Sequence, residues 1–313
     1  MRAVNLFGVP QVDEIIVPAM PYMGNKRKLA TKILNSIYNT VGDFGNLYDL
    51  FGGGGSMSVA GLLAGHNVYY NELNTGIYNL LKYIKGGGEL PRKWISRKEF
   101  NKHKHGDDWY SGFIKCCWSF GNNQQGYLFG KDIEELKRQA HEYQLKNGYD
   151  WTSEKRNELL SEFKEKEGIK GRFGLEQLER LERLQRLQQL ERLERLQQLE
   201  RLERLQQLER LDLSNKSYDD VIISNRSVIY CDPPYINTAG YQEGKDFDYE
   251  KFYSWCLDNE NPVFISEYNM PGDFKCIFEV EHRSTLSSTA NNKVVEKVYW
   301  NGKNLSTGGN NSY

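Results

Sequence analysis

Apolar and polar residues recur with two different periods along the chain, and these periods predict a mixed α/β fold. Short β-branched and aromatic runs favour strands, because such side chains suit a pleated and partly buried surface. Before the first predicted strand, apolar residues recur at helical spacing, namely Leu29, Ile33, Leu34 and Ile37. This spacing predicts a helix over about residues 25–38. The last two runs predict an antiparallel pair. The predicted strands lie at residues 46–51, 68–70, 211–213, 228–231, 262–268, 274–283 and 293–300.

The run at residues 228–231 ends abruptly in Asp232, Pro233, Pro234 and Tyr235. Proline cannot donate to a β-ladder, so the strand stops there and Asp232 lies just past its carboxyl end. Ligands of open α/β sheets bind at that edge. The Asp232 carboxylate and the loop carbonyls form an acceptor-only surface that suits an exocyclic amino group, and Tyr235 offers a face for stacking a base. The simpler interpretation is a turn that closes a strand, with Tyr235 as a surface aromatic.

A glycine loop at residues 52–55 lies between the first predicted strand and a helix that includes Met57 and Val59. Glycines allow a backbone to approach a ligand closely. No Lys-Ser or Lys-Thr pair follows the loop, which excludes a phosphate-binding P-loop. Glu72 lies about 20 residues past the glycines at the end of the second strand, where an acid accepts hydrogen bonds from ribose hydroxyls. Loop and acid together predict an adenosine-type ligand.

Three segments are candidates for contact with nucleic acid. Residues 22–28 place a glycine turn and three cations at a predicted helix start, where the helix dipole disfavours cations. Residues 91–105 interleave six lysines and arginines with aromatic side chains, a pattern typical of a nucleic-acid face. Residues 117–131 are rich in amides, which can read adenine edges, and in aromatics, which can stack. The alternatives are a solvated basic turn, a solvated helix surface and a plain packed loop.

Leucine recurs at every third residue from Leu175 to Leu211. The residue types of this segment are strong helix formers, so it predicts a long helix. A strict period of three moves the leucines about 60° around an α-helix per step, so no lasting coiled-coil seam forms. A solenoid with one leucine row per turn stays open as an alternative. We interpret the segment as an expanded repeat at a tolerant site, with self-association as its candidate role.

Composition narrows the class of protein. The 313 residues carry a net charge of −1, so contact with nucleic acid must come from local patches. Five cysteines without paired CxxC spacing predict reduced thiols in a cytoplasmic compartment. His103, His105 and Cys116 are a weak metal candidate, and we predict no metal. No signal-peptide segment and no apolar run of membrane-spanning length is present in the sequence, which predicts no membrane contact.

The order of these motifs resembles the Dam-type (D12 class) DNA adenine-N6 methyltransferases. The resemblance rests on the basic glycine turn at residues 22–28, the segments 49–56 and 71–74, and Asp232 with the three residues after it. The resemblance covers residues 18–88 and 211–302, and it is weaker over residues 117–131. It implies a Rossmann-like sheet, S-adenosylmethionine as cofactor and double-stranded DNA as partner, with a target recognition domain inserted between the acid and Asp232. The leucine repeat and a shortened segment around residues 126–130 depart from the family pattern.

The resemblance also implies a reaction, the transfer of a methyl group from S-adenosylmethionine to N6 of a flipped adenine, in a bacterial cell or a phage-infected host. The alternatives are a cytosine-N4 or RNA amino methyltransferase and a catalytically silent DNA-binding or assembly protein. The expected domains are two catalytic parts (1–88 and 212–304), a mainly helical target recognition domain (89–174), the leucine repeat (175–211) and a disordered tail (305–313). The expected catalytic residues are Asp232, Pro233, Pro234 and Tyr235. The expected cofactor-binding residues are Tyr22, Lys26, Asp49, Phe51, Gly52, Gly54, Ser56, Glu72 and Asp232. The expected DNA-binding residues are Lys26, Arg97, Lys98, Lys102, Asn122, Asn123 and Tyr127.

Overall fold

The computed structural model describes residues 2–5, 8–131, 134–135, 137–138, 141–142, 209–234, 247–283 and 293–305. Several predictions fall on residues outside these ranges. They concern Tyr235, residues 175–208 of the leucine repeat, most of the predicted target recognition domain beyond residue 131, and the tail from residue 306 onward.

A seven-stranded sheet forms the centre of the described structure, in the strand order β5-β4-β3-β6-β7-β9-β8. Strands β3 to β7 run parallel, whereas β9 runs antiparallel to both of its neighbours. The sheet confirms the predicted α/β fold and the predicted antiparallel pair. Its strands are β3 (Asn46–Asp49), β4 (Asn67–Asn71), β5 (Leu211–Ser214), β6 (Ser227–Cys231), β7 (Val263–Ser266), β8 (Lys275–Arg283) and β9 (Lys293–Trp300).

Strand β6 is buried over its whole length because both faces of the sheet are covered. Val228 and Tyr230 belong to one hydrophobic cluster, and Ile229 and Cys231 belong to the other. Successive side chains of a strand point to opposite faces, so this division separates the two layers of the core. The first layer contains α1 (Ala30–Val41), α2 (Ser56–Ala64) and α3 (Thr75–Lys85), and the second contains α6 (Tyr249–Asp258).

The chain before α1 differs from its prediction. A short antiparallel pair of strands, β1 (Arg2–Val4) and β2 (Pro10–Val12), lies ahead of α1, where the sequence pattern predicts no strand. The helix predicted from about residue 25 begins only at Ala30 and ends at Val41. The backbone before it forms a turn in which the Lys26 carbonyl accepts from the amides of Leu29 and Ala30, both at 2.7 Å. The turn lets the Lys26 side chain point inward instead of lying on the helix surface.

Two further helices follow, α4 (Arg97–His103) and α5 (Trp109–Cys117); α5 packs on α3, and α4 packs on α5. A Cβ atom added to Gly112 of α5 would lie 2.0 Å from the Gly76 carbonyl oxygen of α3, so the two helices approach with no room for a side chain. Phe100 and Phe113 join the same hydrophobic cluster as the sheet. The described part of residues 89–131 therefore packs onto the first layer of the core. The inserted recognition domain and its boundaries stay a prediction. In the described ranges no helix has the length and apolarity needed to cross a membrane.

Candidate active site

The strand order of the sheet reverses beside β3, and open α/β sheets form their ligand-binding crevice at such a point. From β3 the chain moves outward to β4 and β5 and then returns to β6, on the other side of β3. Ligands of doubly wound sheets bind at the carboxyl edge of such a switch point. Three carboxylates meet this edge, since Asp49 ends β3, Glu72 follows β4 and Asp232 follows β6. The sequence analysis predicted Glu72 and Asp232 at strand ends, whereas it placed Asp49 inside a strand of residues 46–51 that in fact ends at Asp49.

Asp232 forms a bidentate ion pair with Lys26. The Lys26 Nζ atom lies 3.0 Å and 2.9 Å from the two carboxylate oxygens, and it also donates to the Gly24 carbonyl at 3.1 Å. Lys26 is 6% exposed and Asp232 is 20% exposed, so the pair lies at the floor of the crevice with one open side. Burial alone would lower the pKa of Lys26, but the charges of Asp232 and Glu296 outweigh it and raise that pKa. Lys26 is therefore a cation at neutral pH.

Glu296 is a member of this site that the sequence analysis missed. Its Oε2 atom lies 3.7 Å from Lys26 Nζ, and its side chain is 13% exposed. It lies on β9, the reversed strand, whose first half passes the carboxyl end of β7. Glu296 shares a strand face with buried Val298, two residues on. A carboxylate at an inward position of an alternating strand is the sequence signal that could have identified it.

Glu72 holds the glycine loop in place. One carboxylate oxygen accepts from the Gly53 amide at 2.7 Å, the other accepts from the Asn74 amide at 2.8 Å, and the side chain is 7% exposed. The Tyr70 hydroxyl donates to the Gly53 carbonyl at 2.8 Å. A Cβ atom at Gly52 would lie 2.1 Å from the Tyr70 ring, so this glycine is required by close packing. Acid and loop therefore form one rigid unit at the end of β4.

Asp49 lies beneath the same loop and is 2% exposed. Its Oδ2 atom accepts from the Ser58 amide at 3.0 Å and from the Ser58 hydroxyl at 2.6 Å. Burial raises the pKa of Asp49 to about 7, the nearby charge of Asp232 acts in the same direction, and the two Ser58 hydrogen bonds oppose the rise. Asp49 is therefore a carboxyl group whose charge changes near neutral pH.

The crevice fits an adenosine-type cofactor. A Cβ atom on Gly55, in front of α2, would meet nothing within 4 Å, which leaves open space above the loop. The Ser56 hydroxyl is buried, and among the described residues it has no hydrogen-bond partner. An acceptor carboxylate, a loop without side chains and an unsatisfied hydroxyl are groups that a nucleoside with an amino-acid tail can engage. These groups are not the ligands of a metal centre. In the described part of the chain, no cluster of three His, Cys, Asp or Glu side chains could hold a metal ion.

The other predicted cofactor residues border the crevice. Tyr22 packs against the loop, with ring atoms 3.1 Å from where a Cβ of Gly53 would lie. Phe51 is half-buried in an aromatic cluster with Tyr218 and Phe252, each at a ring-centroid distance of 5.6 Å. On the Asp232 side, the Tyr249 hydroxyl of α6 donates to the Pro234 carbonyl at 2.6 Å, which fixes the backbone just after Pro233.

Besides Lys26, which is buried and paired with Asp232, two of the predicted DNA-binding residues are engaged within the fold. Arg97 pairs with Glu134 at 2.9 Å, donates to the Phe129 carbonyl at 2.6 Å and lies over the Tyr127 ring at 4.7 Å. Tyr127 is buried, and its hydroxyl donates to the Ile95 carbonyl at 2.6 Å. These contacts build the core beside α4, and a DNA contact by either residue stays a prediction.

The remaining predicted DNA residues lie on two surfaces. Lys98 and Lys102 are exposed one turn apart on α4. Asn122 and Asn123 lie in a loop where Asn122 has a φ of 59°, and Asn123 accepts from two loop amides. The same loop reaches the Glu72 side of the crevice through Gln124, which accepts from the Asn74 side chain at 3.2 Å. The structure thus brings the loop to the crevice edge, while the α4 lysines lie on a separate helix.

A doubly wound sheet with a reversed strand β9 and a switch-point crevice lined by carboxylates defines an α/β enzyme of the nucleotide-binding class. The family model of the D12 class N6 adenine-specific DNA methyltransferases matches residues 22–255, which is more than half of the chain. The chain belongs to this family and is an adenine-specific DNA methyltransferase, as the motif resemblance predicted. Methyltransferases of this kind generally use S-adenosylmethionine. A search of curated proteins found no match. Glu296 lies beyond the matched residues.

Proposed function

We propose that the chain methylates N6 of an adenine flipped out of duplex DNA, with S-adenosylmethionine as methyl donor and Asp232 as the residue that holds the amino group. The observation that carries this proposal is the position of Asp232. It follows a buried strand at the switch point, two prolines terminate that strand, and its carboxylate is open to the crevice on one side. A partly exposed acceptor among buried groups suits a ligand that enters with N–H donors.

Adenine N6 is a weak nucleophile because its lone pair is delocalised into the ring. The Asp232 carboxylate and the Pro233 carbonyl accept its two N–H groups, which localises the lone pair on N6 and turns it toward the methyl group. Their negative character also stabilises the positive charge that develops on N6. S-adenosylmethionine, when bound, supplies a methyl group attached to a sulfonium sulfur. Asp232 then receives the proton that N6 releases, directly or on its way to solvent.

Cofactor binding is assigned to the glycine loop and to the acid that holds it. Glu72 accepts from the ribose hydroxyls, and the Ser56 hydroxyl gains the partner that it lacks in the described residues. Asp49 lies below the loop and favours a ligand with positive charge, since such a ligand stabilises its ionised form. Tyr22 and Phe51 border the site with aromatic surface.

Base flipping costs a few kcal/mol, because the adenine must leave its stack and its pair. Stacking on an aromatic side chain returns about 1–3 kcal/mol per base. We assign that stacking to Tyr235, directly after the prolines. Lys98 and Lys102 are the exposed cations that we assign to the DNA backbone. The enzyme works where its DNA lies, in the cytoplasm of a bacterial cell or of a phage-infected host. Its methylation could then be part of a restriction-modification system.

The decisive experiment incubates the protein with methyl-labelled S-adenosylmethionine and unmethylated duplex DNA, followed by digestion to nucleosides. We expect label in N6-methyldeoxyadenosine. Asp232→Ala should abolish transfer while cofactor binding, measured by calorimetry, survives, and Asp220→Ala, at an exposed site, should leave both unchanged. Label in N4-methyldeoxycytidine would indicate the cytosine alternative. Absence of label with normal cofactor binding would indicate an RNA substrate or a silent binding protein, and turnover by Asp232→Ala would refute the role of Asp232.

A further inference from the structure

Lys26 lies between two carboxylates at the floor of the crevice. Its Nζ atom contacts both oxygens of Asp232 at 3.0 Å and 2.9 Å, and Glu296 Oε2 is 3.7 Å away. The Gly24 carbonyl, 3.1 Å from the same Nζ atom, keeps the ammonium near both acids. One cation and two carboxylates leave the group with one net negative charge, provided that both acids are ionised.

This arrangement conflicts with the role of Asp232 in the proposed reaction. Both oxygens of the Asp232 carboxylate, which should accept one N–H group of the adenine amino group, are engaged by an ammonium. The same ammonium offsets the negative charge that should stabilise a cation forming on N6, and it repels that cation directly. The reaction is therefore favoured when Lys26 moves away from Asp232. A buried lysine cannot simply lose its partner, because an unpaired buried charge is strongly unfavourable.

We propose that Glu296 is a positioning residue that takes over the Lys26 ammonium when the adenine amino group binds Asp232. This inference rests on the proposed function. Lysine has a flexible stem and three N–H donors, so a small movement exchanges one carboxylate for the other. The movement leaves the ammonium paired throughout and takes it away from the Asp232 carboxylate, which then accepts from the adenine amino group.

The fold explains why Glu296 suits this role. Its strand, β9, runs opposite to its neighbours, so its first half crosses the edge of the sheet where the other strands end. Val298, two residues later on the same face, is buried and anchors the strand against the α1 side of the sheet. Glu296 is thereby held beside Lys26 by a rigid element and remains mostly shielded from solvent. Tyr268 lies close enough to Glu296, Lys26 and Asp232 for all three charges to act on its hydroxyl.

A double-mutant cycle tests the proposal with single-turnover methylation of adenine as the readout. Glu296→Gln keeps the shape and removes the charge, so Lys26 stays on Asp232, and we expect methyl transfer to slow by about tenfold to a hundredfold. The affinity for S-adenosylmethionine should remain within about twofold. In Lys26→Met, the further change Glu296→Gln should cause no additional loss, because Glu296 acts through Lys26. Losses that multiply in the double variant would overturn the proposal.

Two more variants make the outcome unambiguous. Glu296→Asp retains a carboxylate and should recover part of the rate, so equal losses in the Asp and Gln variants would also overturn the proposal. If Lys26→Met is itself inactive, this comparison replaces the double-mutant cycle. If Glu296→Gln does not fold, as judged by circular dichroism, the rate of Glu296→Asp relative to the wild type decides, and a rate as low as background overturns the proposal. Glu279→Gln is the matched control, since Glu279 lies on the same hairpin, is exposed and pairs with Lys297 at 3.9 Å. It should behave as the wild type.

The same assay separates two kinds of failure. If the wild-type protein labels no adenine, the proposed function fails, whatever Glu296 does. If the wild type labels adenine and Glu296→Gln is equally fast, only the role of Glu296 fails.

Discussion

Asp49 makes stability depend on pH in a direction opposite to that of most acidic residues. Folding buries its carboxyl to 2% exposure and raises its pKa from the ordinary 3.8 to about 7. The folded state therefore binds a proton more tightly than the unfolded state. The stabilising contribution is complete below pH 3.8, and it is lost as pH rises towards the folded pKa of about 7. Asp49→Asn removes this dependence and keeps an oxygen that can accept from Ser58.

The magnitude follows from the two pKa values. At pH 5 the unfolded carboxyl is mostly ionised, whereas the folded one is mostly protonated, about two pH units below its pKa. One pKa unit corresponds to about 1.4 kcal/mol, so Asp49 contributes about 3 kcal/mol at pH 5. At pH 8 both states are ionised and the contribution is nearly zero. Relative to the Asn variant, the wild-type protein should lose about 3 kcal/mol of unfolding free energy between pH 5 and pH 8.

Urea unfolding of both proteins at pH 5, 6, 7 and 8 measures this difference. Other ionisable groups change charge alike in the two proteins, so subtracting one curve from the other isolates residue 49. The exposed carboxylate nearby on the chain provides the control variant, Asp43→Asn. A difference between wild type and Asp49→Asn that stays constant over this range would show that Asp49 is ionised throughout, and would refute the reasoning from burial.

The other expectations concern the cofactor, the loop after Asp232 and the DNA. Glu72→Ala should weaken binding of S-adenosylmethionine by at least about tenfold in calorimetry, because a charged acceptor is worth about 1.5–3 kcal/mol; unchanged affinity would assign the ribose to another residue. Tyr249→Phe removes the hydroxyl bond to the carbonyl of the second proline and should slow methyl transfer by about threefold to tenfold. Tyr253→Phe, one turn along the same helix, is its control, since the described residues give that hydroxyl no partner; equal rates in the two variants would contradict a positioning role. Replacing both Lys98 and Lys102 by Gln should reduce the slope of log affinity for DNA against log salt by about two, and an unchanged slope would place the DNA face elsewhere.

Local sequence predicted the strands because their signals are local. The β-branched run before Asp232 became a fully buried strand, and the two prolines ended it where the sequence indicated. Glu72 was predicted at the end of a strand from the run at residues 68–70, and the structure shows its carboxylate accepting from the Gly53 amide. These assignments needed only residue type and spacing, which a single segment carries.

The charge network of the site could not be predicted in this way. Lys26 pairs with a carboxylate 206 residues further along the chain, and no local pattern encodes that contact. The basic turn was interpreted as a site for an anionic partner or a polar ligand, and its buried ion pair between Lys26 and Asp232, close to Glu296, was not predicted. Glu296 appeared as one charged residue in a short terminal strand. Its meaning depends on the reversal of β9, which only the assembled sheet reveals.

Because of that reversal, the active site also depends on a strand that is synthesised after the family-matched segment. Strand β9 lies between β7 and β8 in the sheet. During synthesis, β7 and β8 therefore lack a common neighbour until residues 293–300 have been made. Lys26 and Glu296 are separated by 270 positions (296 − 26). A nascent chain that has already released the whole family-matched segment, residues 22–255, still has an incomplete sheet edge and a lysine without its second acid. Cleavage within β9 should therefore inactivate the enzyme although every predicted motif remains present.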